Sequence, residues 1–477
     1  MKAKIKHTVS VFLSLLIMIT VISCGDDDSP SPDPEIDDTD STSTANAHIN
    51  NWIYNVMDEA YLWTDEIPST VDENLDPIDF FESLLYSGDR FSVIYPDWQE
   101  LRNQLNGVSK EAGYEFQLLR RNETDVVMVI IYVKPNSPAS EAGFERGDLI
   151  SKLNGSTITL DNYQSLVPAA YDNHTATYER YNENQEGYVV MGDANLNVVV
   201  YEENPNYMDS VYTINNHKVG YFVYNFFSPG SDNTYDDEMD AVFNKFKNEG
   251  IQDLVLDLRY NGGGSVASAV NMASLIGPDI GPNNIFYSSS YNDLYQNYFE
   301  SQPDADEILN TRFETKSDNV GDLIGGNLYV LVSGHTASAS ELIINGLDPY
   351  MNVIIIGETT VGKNVASTLI EDDEDPDNNY GLLPIISRIE NSQGFSAYED
   401  GFTPLGDNNI NEFDYLLMPL GDINETLLSR ALDLIGAGST NGRVGFEHNF
   451  LEDFDTMTKS SIDRKITTNR MIVPAIK

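Results

Sequence analysis

The stretch from Leu328 to Val365 constrains the fold of this chain most. It reads LYVLVSGHTASASELIINGLDPYMNVIIIGETTVGKNV. An apolar, β-branched run is followed by a corner of small residues, a helix that opens at Ser338 to Glu341, and a second apolar run. A tight, glycine-containing loop then carries Lys363. This order predicts strand, turn, helix and strand, with a serine at the turn and a lysine just past the next strand.

A serine at the start of a helix has two interpretations. Ser338 or Ser340 can simply cap the helix, because a serine hydroxyl accepts a hydrogen bond from a free backbone N–H of the first turn. The same helix end presents unpaired N–H groups and positive potential, which stabilise a developing oxyanion. Lys363 favours the second interpretation, because a buried lysine has a lowered pKa and its neutral amine can take a proton from a hydroxyl.

The segments TASASE and GETTVGK resemble the SASASE and GE-x-T-x-GK motifs of the C-terminal processing (tail-specific) serine peptidases. The resemblance implies a Ser/Lys dyad in which Ser338 is the nucleophile and Lys363 the general base. Thr336 stands where the family motif has its first serine. Many members carry a glutamine shortly after the lysine that orients its amine. Ser367 occupies that position here and is the candidate third member of the site.

A second block, QDLVLDLRYNGGGSV at residues 252–266, has a buried-type strand that ends in an Asn-Gly-Gly-Gly turn. Glycine permits positive φ and close backbone approach, so this turn can direct an N–H at a substrate carbonyl. An ordinary β-turn is the alternative. The block resembles DLR-x-N-P-G-G of the same family, which implies an oxyanion hole formed by the N–H groups of Gly263 and Ala339. Gly262 replaces the proline that the family commonly has.

Two other chemistries are weaker hypotheses. His335 lies just before Ser338 and is the alternative base, provided that its imidazole reaches the hydroxyl and an acid lies behind it. The acidic run EDDEDPDNN at residues 371–379 suggests calcium, but it lacks the glycine and the final glutamate of an EF-hand loop. A solvated hairpin tip is therefore predicted there. The resemblance implies neither a metal nor an organic cofactor.

The net charge excludes some partners. The chain has 477 residues, of which 76 are acidic and 27 basic, and its formal net charge is −49. This excess argues against nucleic acid, whose phosphates it would repel, and against binding to anionic lipid headgroups. The length and an apolar content of 41% predict about two to three domains with a large buried core.

The first 24 residues are typical of an export signal. Lysines precede an apolar run at residues 9–22 that is too short to cross a bilayer comfortably. The sequence VISC that follows resembles a bacterial lipobox, which implies lipidation of Cys24 and anchoring to a membrane, at the periplasmic face or the cell surface and by expectation the outer membrane. A plain cleaved signal is the alternative. Cys24 is the only cysteine, so the chain has no internal disulfide framework.

Residues 25–46 are acidic and rich in proline and serine, which predicts a disordered tether.

The rest of the chain divides into further segments. Residues 47–105 have apolar side chains at helical spacing and are predicted to form a small helical N-terminal domain. Residues 109–172 resemble a PDZ domain through Gly113-Tyr114-Glu115-Phe116 and through SPASEAGFERGDLISKLNG. This resemblance implies that Gly113, Tyr114 and Phe116 bind a peptide tail. Glu115 departs from the family loop, and its carboxylate would repel the C-terminus of a substrate.

Strands alternate with helices in residues 173–440, which predicts an α/β core with a largely parallel sheet. Two strands within 173–203 are expected to lead back into this core, and residues 441–477 form a C-terminal tail. By resemblance, the architecture is a ClpP/crotonase-like protease core with an inserted PDZ domain.

The resemblance implies a serine endopeptidase that hydrolyses exported proteins after the PDZ domain has bound their C-terminal tails. The alternatives are a non-catalytic peptide-binding lipoprotein and crotonase-like thioester chemistry on the same fold. The residues leave the natural substrate and the oligomeric state open.

Overall fold

The computed structural model of the chain describes residues 38–436, 454–466 and 468–474. The predicted signal peptide and lipidation site at Cys24 lie outside these residues. The described chain forms a helical N-terminal domain, a PDZ-like domain and an α/β core. It ends in a stretch that we call the return segment, residues 454–466 and 468–474. No helix in the described ranges combines the length and apolar character needed to cross a bilayer.

The N-terminal domain packs its apolar helix faces against the core. Its elements are α1 (Asp38–Ala60), α2 (Pro77–Leu84), β1 (Val93–Tyr95) and α3 (Trp98–Leu105). Helices α2 and α3 begin where Asp76 and Asp97 accept hydrogen bonds from first-turn amides. The tether predicted for residues 25–46 is wrong at its end, because α1 begins at Asp38. Acidic and hydroxyl side chains favour the first turn of a helix.

The PDZ-like domain is larger than predicted. Its elements are β2 (Val108–Glu111), β3 (Tyr114–Arg120), β4 (Val126–Val133), α4 (Pro138–Glu141), β5 (Leu149–Leu153), β6 (Ser156–Thr157), α5 (Tyr163–Leu166), β7 (His174–Asn182), β8 (Gly187–Leu196) and β9 (Val199–Glu202). Strands β3, β4, β5, β7 and β8 are neighbours in one antiparallel sheet. The predicted boundary at residue 172 is therefore wrong. Alternating polarity identifies β7 and β8 as strands, but it does not say which sheet they join.

The α/β core is built on a five-stranded sheet. Its elements are β10 (Asn206–Ile214), β11 (His217–Tyr224), α6 (Thr234–Glu249), β12 (Asp253–Asp257), β13 (Gly263–Ser265), α7 (Val266–Ile276), β14 (Ile285–Tyr291), α8 (Asp293–Glu300), α9 (Ala305–Leu309), β15 (Asn310–Arg312), β16 (Asn327–Val332), α10 (Ala339–Leu347), β17 (Asn352–Gly357), β18 (Val365–Ser367), β19 (Ile370–Glu371), β20 (Gly381–Leu383), β21 (Ile385–Asn391) and α11 (Thr426–Ile435). The order is β10-β11-β12-β16-β17, and the last four strands are mutually parallel. The predicted parallel α/β sheet is thus confirmed.

Both faces of this sheet are buried. On one face, side chains such as Phe222, Leu256 and Val330 pack against α6, α7 and α10. On the other face, side chains such as Val255 and Leu331 pack against α11. Burial on both faces accounts for the continuous apolar runs of these strands. The turns that leave the carboxyl ends of β12 and β16 lie side by side, which is where α/β sheets place their sites.

The return segment adds a strand to each of two other sheets. Its strands are β22 (Asp455–Ser460) and β23 (Arg470–Ile472). Strand β22 pairs antiparallel with β3 of the PDZ-like domain. Strand β23 lies between β13 and β18, in the order β13-β23-β18-β21-β14-β15. The predicted tail therefore connects the PDZ-like domain with the core.

Candidate active site

Ser338 lies in a strained backbone conformation at the start of α10. It is the residue before the first helical turn, with φ 64° and ψ −113°, and it is fully buried. Side chains on both sides of it hold the turn, because Thr336 Oγ1 donates to the Leu258 carbonyl at 2.8 Å and Ser340 Oγ donates to the Asn261 carbonyl at 3.0 Å. Positive φ at a residue with a side chain costs about 1–3 kcal/mol and is concentrated at functional sites.

The Ser338 side chain stands at the N-cap position of a capping box with Glu341 at the start of α10. Its Oγ is buried and has no hydrogen-bond partner among the described residues. The backbone N–H of Ser338 instead donates to the Glu341 carboxylate at 2.7 Å. Ser338 therefore has the position of a helix cap, but its hydroxyl forms no hydrogen bond within the described residues and is left for another partner.

Glu341 joins the serine turn to the lysine loop. Its Oε2 accepts from the amides of Ser338 and Lys363, at 2.7 and 2.8 Å. Its Oε1 accepts from the Gly362 amide at 2.7 Å and from the Thr360 hydroxyl at 2.5 Å. Burial raises the pKa of Glu341, and these donors oppose that rise. Because one oxygen atom binds both amides, the backbones of the predicted nucleophile and base are held side by side.

Lys363 is fully buried, and its environment disfavours the ammonium form. Burial lowers the pKa of Lys363 well below its ordinary value, and the nearby Arg470 guanidinium lowers it further, whereas Asp89 opposes both. Its Nζ donates to the Asn469 carbonyl at 2.6 Å and lies 5.0 Å from the centre of the Phe91 ring. A neutral amine at this position is suited to general-base chemistry. In this state the amine does not hydrogen-bond to the Ser338 hydroxyl.

The two predicted oxyanion donors flank Ser338. Gly263 has φ 104°, and a Cβ on it would lie 2.7 Å from Ser338 Cβ and 3.0 Å from its Oγ. Only glycine therefore fits here. Ala339 is the first residue of α10, so its N–H has no acceptor within the helix. The Gly263 N–H donates to Asn261 Oδ1 at 2.9 Å, so in this state it is already engaged.

Ser367 and His335 do not contact the reacting atoms. The Ser367 hydroxyl is buried without a partner in the described chain, so it does not orient the Lys363 amine as predicted for a third member. His335 Nδ1 lies 3.5 Å from Asp463 of the return segment. Because the Ser338 hydroxyl has no partner, His335 is not placed as its base.

A buried ion cluster supports the serine turn from behind. Arg259 lies between Asp257, Glu412 and Glu425, with closest N–O distances of 2.9, 2.8 and 2.6 Å. Arg146 of the PDZ-like domain joins the cluster through Glu412 at 2.7 Å. Burial opposes the charge of Arg259, but the three carboxylates hold its pKa well above the ordinary value. The cluster therefore ties the PDZ-like domain to the strand end next to Ser338.

The three predicted peptide-binding residues make different kinds of contact. The Gly113 carbonyl accepts hydrogen bonds from Lys134 and Ser137 of its own domain. The Tyr114 side chain is buried in the domain core, where its hydroxyl contacts His174. Phe116 instead contacts the return segment, because its backbone N–H donates to Ser461 Oγ and its carbonyl accepts from the Ser461 N–H.

Several residues that line the site were not predicted from the sequence. Glu341 has a local signal, because Ser338 and Glu341 have the spacing of a capping box. Asn261 also lies within a quoted motif. Phe91 and Asn469 have no such signal, because they reach Lys363 from the N-terminal domain and from the return segment.

Comparisons with known proteins agree with this architecture. Residues 48–93 match the peptidase S41 N-terminal domain, residues 129–179 match a PDZ domain, and residues 218–404 match peptidase family S41. A crystal structure from Bacteroides fragilis, named as an S41 protease, superposes with a TM-score of 0.67 at 29% identity and covers 81% of this chain and 97% of that one.

Two curated relatives are named as probable CtpA-like serine proteases. The protein of Staphylococcus aureus is 28% identical over 270 residues, which are 56% of this chain and 47% of that protein. The protein of Staphylococcus haemolyticus is 26% identical over 251 residues, which are 52% of this chain and 44% of that protein. The aligned part thus spans about half the length of these relatives. The three matched domains and the fold confirm the resemblance of this chain to peptidase family S41.

Proposed function

We propose that this chain is a serine endopeptidase of the C-terminal processing type. The observation that carries the proposal is the Glu341 carboxylate, whose Oε2 binds the amides of both Ser338 and Lys363. It sets a strained serine at a helix N-terminus next to a buried lysine with a lowered pKa. A hydroxyl nucleophile with a neutral amine beside it is the arrangement that acyl transfer requires.

The reaction follows from these positions. Ser338 Oγ attacks the carbonyl carbon of a peptide bond while Lys363 Nζ takes the hydroxyl proton. The Ala339 N–H, and the Gly263 N–H after it leaves Asn261, stabilise the oxyanion. Collapse of the intermediate breaks the C–N bond, and the lysine ammonium gives its proton to the leaving amine. Water then attacks the acyl-serine, Lys363 accepts its proton and returns it to Ser338, and the acid product leaves.

The substrate and location are parts of the same proposal. The PDZ-like domain supports the recognition of peptide tails, since PDZ domains add an extended peptide to a sheet edge. The export signal and the lipobox-like VISC sequence support an exported protein anchored through a lipid on Cys24. The substrates would then be other exported proteins at the periplasmic face or the cell surface. A Cys24→Ser variant that still partitions with detergent micelles and membranes would contradict the lipid anchor.

The test is cleavage of an unfolded protein with an apolar C-terminal tail by the purified full chain. Ser338→Ala and Lys363→Met are each expected to lower kcat/KM by at least about a thousandfold. Ser367→Ala is the matched control, and its cleavage should stay within a few-fold of wild type because its hydroxyl contacts no reacting group. Full activity of Lys363→Met would reject Lys363 as the general base and would make His335 the next candidate for that role.

The second candidate is a non-catalytic peptide-binding lipoprotein. It is favoured by one observation, namely that the Ser338 hydroxyl and the Lys363 amine are not hydrogen-bonded to each other here. Peptide binding with no cleavage by wild type, under conditions where the return segment is displaced, would support this candidate over the peptidase.

A further inference from the structure

The return segment occupies the sheet edge at which a peptide would bind to the PDZ-like domain. Strand β22 lies antiparallel to β3, with Ser460 opposite Gln117. Beyond it, the Ser461 N–H donates to the Phe116 carbonyl at 2.9 Å, and the Phe116 N–H donates to Ser461 Oγ at 2.8 Å. A ligand that adds to a sheet edge uses these same backbone groups. The groove is therefore filled by a part of the chain itself.

Next to this edge lies an acidic cluster, which we define as Glu111, Glu115 and Glu203. Lys134 of the same domain contacts all three, at 2.5, 3.1 and 2.8 Å. Lys465 of the return segment enters the cluster from outside, with its Nζ 2.7 Å from Glu115 and 3.2 Å from Glu203. Three carboxylates thus share two ammonium groups, of which one is intrinsic to the domain and the other is brought by the return segment.

The cluster depends on the incoming lysine. Burial would raise the pKa of Glu115, but the ammonium groups of Lys465 and Lys134 outweigh it and hold the pKa below its ordinary value. The same two lysines lower the pKa of Glu203 to about 2 against the effect of burial. Without Lys465, a single ammonium would face three carboxylates, two of them almost fully buried. Leaving a buried charge without its partner is strongly unfavourable, so this position selects a cation.

The return segment then crosses the catalytic cleft. The Asn469 carbonyl accepts the hydrogen bond of Lys363 Nζ. Arg470 pairs with Gly263 in strand β23, and the Val473 N–H donates to the Ser367 carbonyl at 2.9 Å. The amine that would deprotonate Ser338 is thus bound by the segment, and the glycine beside the serine is covered by it. An extended substrate cannot occupy the same backbone positions.

We propose that the acidic cluster is a lysine-binding subsite of the PDZ-like domain and that Lys465 is its resident ligand. The return segment thereby holds the peptide groove and the catalytic cleft closed until an extended peptide that carries a lysine at the matching position displaces it. The filling of the peptide groove by the return segment does not depend on whether the chain cleaves peptides. Only the statement that release increases cleavage rests on the proposed peptidase function.

The test uses the full chain and a Lys465→Met variant, with Lys459→Met as the matched control. Lys459 lies in the same segment, but its side chain is exposed. Hydrogen–deuterium exchange of residues 455–473 should become about a hundredfold faster in Lys465→Met and remain unchanged in the control. If both variants unfold in the same single thermal transition as wild type, the domains stay folded.

A labelled synthetic peptide with the sequence of residues 454–466 gives the second readout. It should bind Lys465→Met at least tenfold more tightly than wild type, in which the subsite is filled. The same peptide with methionine at the position of Lys465 should bind the Lys465→Met variant at least tenfold more weakly than the lysine-containing peptide does. Equal binding of the two peptides would overturn the lysine subsite.

A second opening variant keeps the proposal testable if Lys465→Met remains closed. Ser461→Pro removes the N–H and the hydroxyl that bind Phe116, so it releases the segment by another route. Unchanged exchange of the segment in both variants would overturn the proposal. Faster exchange and peptide binding with no cleavage by either variant would support the subsite and reject the peptidase function. Cleavage that rises at least tenfold in both variants would support both.

Discussion

Replacing Glu341 with glutamine should loosen the serine turn and the lysine loop together. The carboxylate accepts four hydrogen bonds, two on each oxygen. Glutamine keeps the shape but presents one NH₂ group, so two of the four donors lose their acceptor. A hydrogen bond to a charged group contributes about 1.5–3 kcal/mol. The loss of two should therefore reduce the local free energy of unfolding by about 3–6 kcal/mol, which is a factor of about 10² to 10⁴ in the opening equilibrium.

Hydrogen–deuterium exchange of peptides that cover residues 336–341 and 359–364 measures this opening directly. Both peptides should exchange faster in Glu341→Gln by about that factor, because the same carboxylate binds amides in both. Glu82→Gln is the matched control: Glu82 is exposed on α2, and surface changes of this kind stay within about 0.5 kcal/mol. Exchange within threefold of wild type in both peptides would refute the reasoning that a single carboxylate holds the two loops together.

Three other expectations concern charge and space at the site. Burial lowers the pKa of Lys363 from 10.5, so cleavage rates measured across pH should rise through a lysine pKa well below that value. A cleavage rate that rises only at the ordinary lysine pKa would contradict the lowered pKa of Lys363. Since folding favours the neutral amine, the free energy of unfolding should also fall as pH drops from the lysine pKa of the unfolded chain toward that of the folded chain. Arg259→Met leaves the buried carboxylates of Asp257 and Glu425 without their main cationic partner, while Glu412 keeps Arg146, and should cost about 3–5 kcal/mol in thermal unfolding. Exposed Arg388→Met should cost less than about 1 kcal/mol. Gly263→Ala should lower kcat/KM at least a hundredfold because its Cβ would lie 2.7 Å from the neighbouring serine Cβ, and Gly281→Ala, whose Cβ would meet open space, should remain near wild type.

The route of the return segment changes how inactivity of the purified chain would be interpreted. Wild type is expected to cleave a test protein more slowly than an opened variant does, since the Lys363 amine already donates a hydrogen bond to the Asn469 carbonyl. The opened Lys465→Met variant is the form in which a missing activity would count against the Ser/Lys dyad. Assays of the two forms side by side therefore distinguish a closed peptidase from a peptide-binding protein.

Local sequence was sufficient to predict the site's central pieces. A strand, a small-residue corner and a helix are close in the chain, so hydrophobic periodicity and the spacing of serine and glycine identify them. Ser338 stands at the start of a helix and Gly263 lies in a turn with positive φ, as that pattern predicted. The parallel sheet followed from the alternation of strands and helices, because each buried strand needs a crossover to reach its parallel neighbour.

Tertiary structure alone decided which strands and loops meet. Polarity that alternates along β7 shows that one face is buried, but strand pairing depends on distant partners, so its place in the PDZ-like sheet was not predictable. Phe91 and Asn469 reach Lys363 from the N-terminal domain and from the return segment. Ser367 is close to Lys363 in sequence, but its hydroxyl makes no hydrogen bond to the lysine amine. Sequence by itself determined the reactive groups and the elements that carry them. The fold determined what surrounds those groups, because burial and hydrogen bonding depend on contacts between residues far apart in the chain.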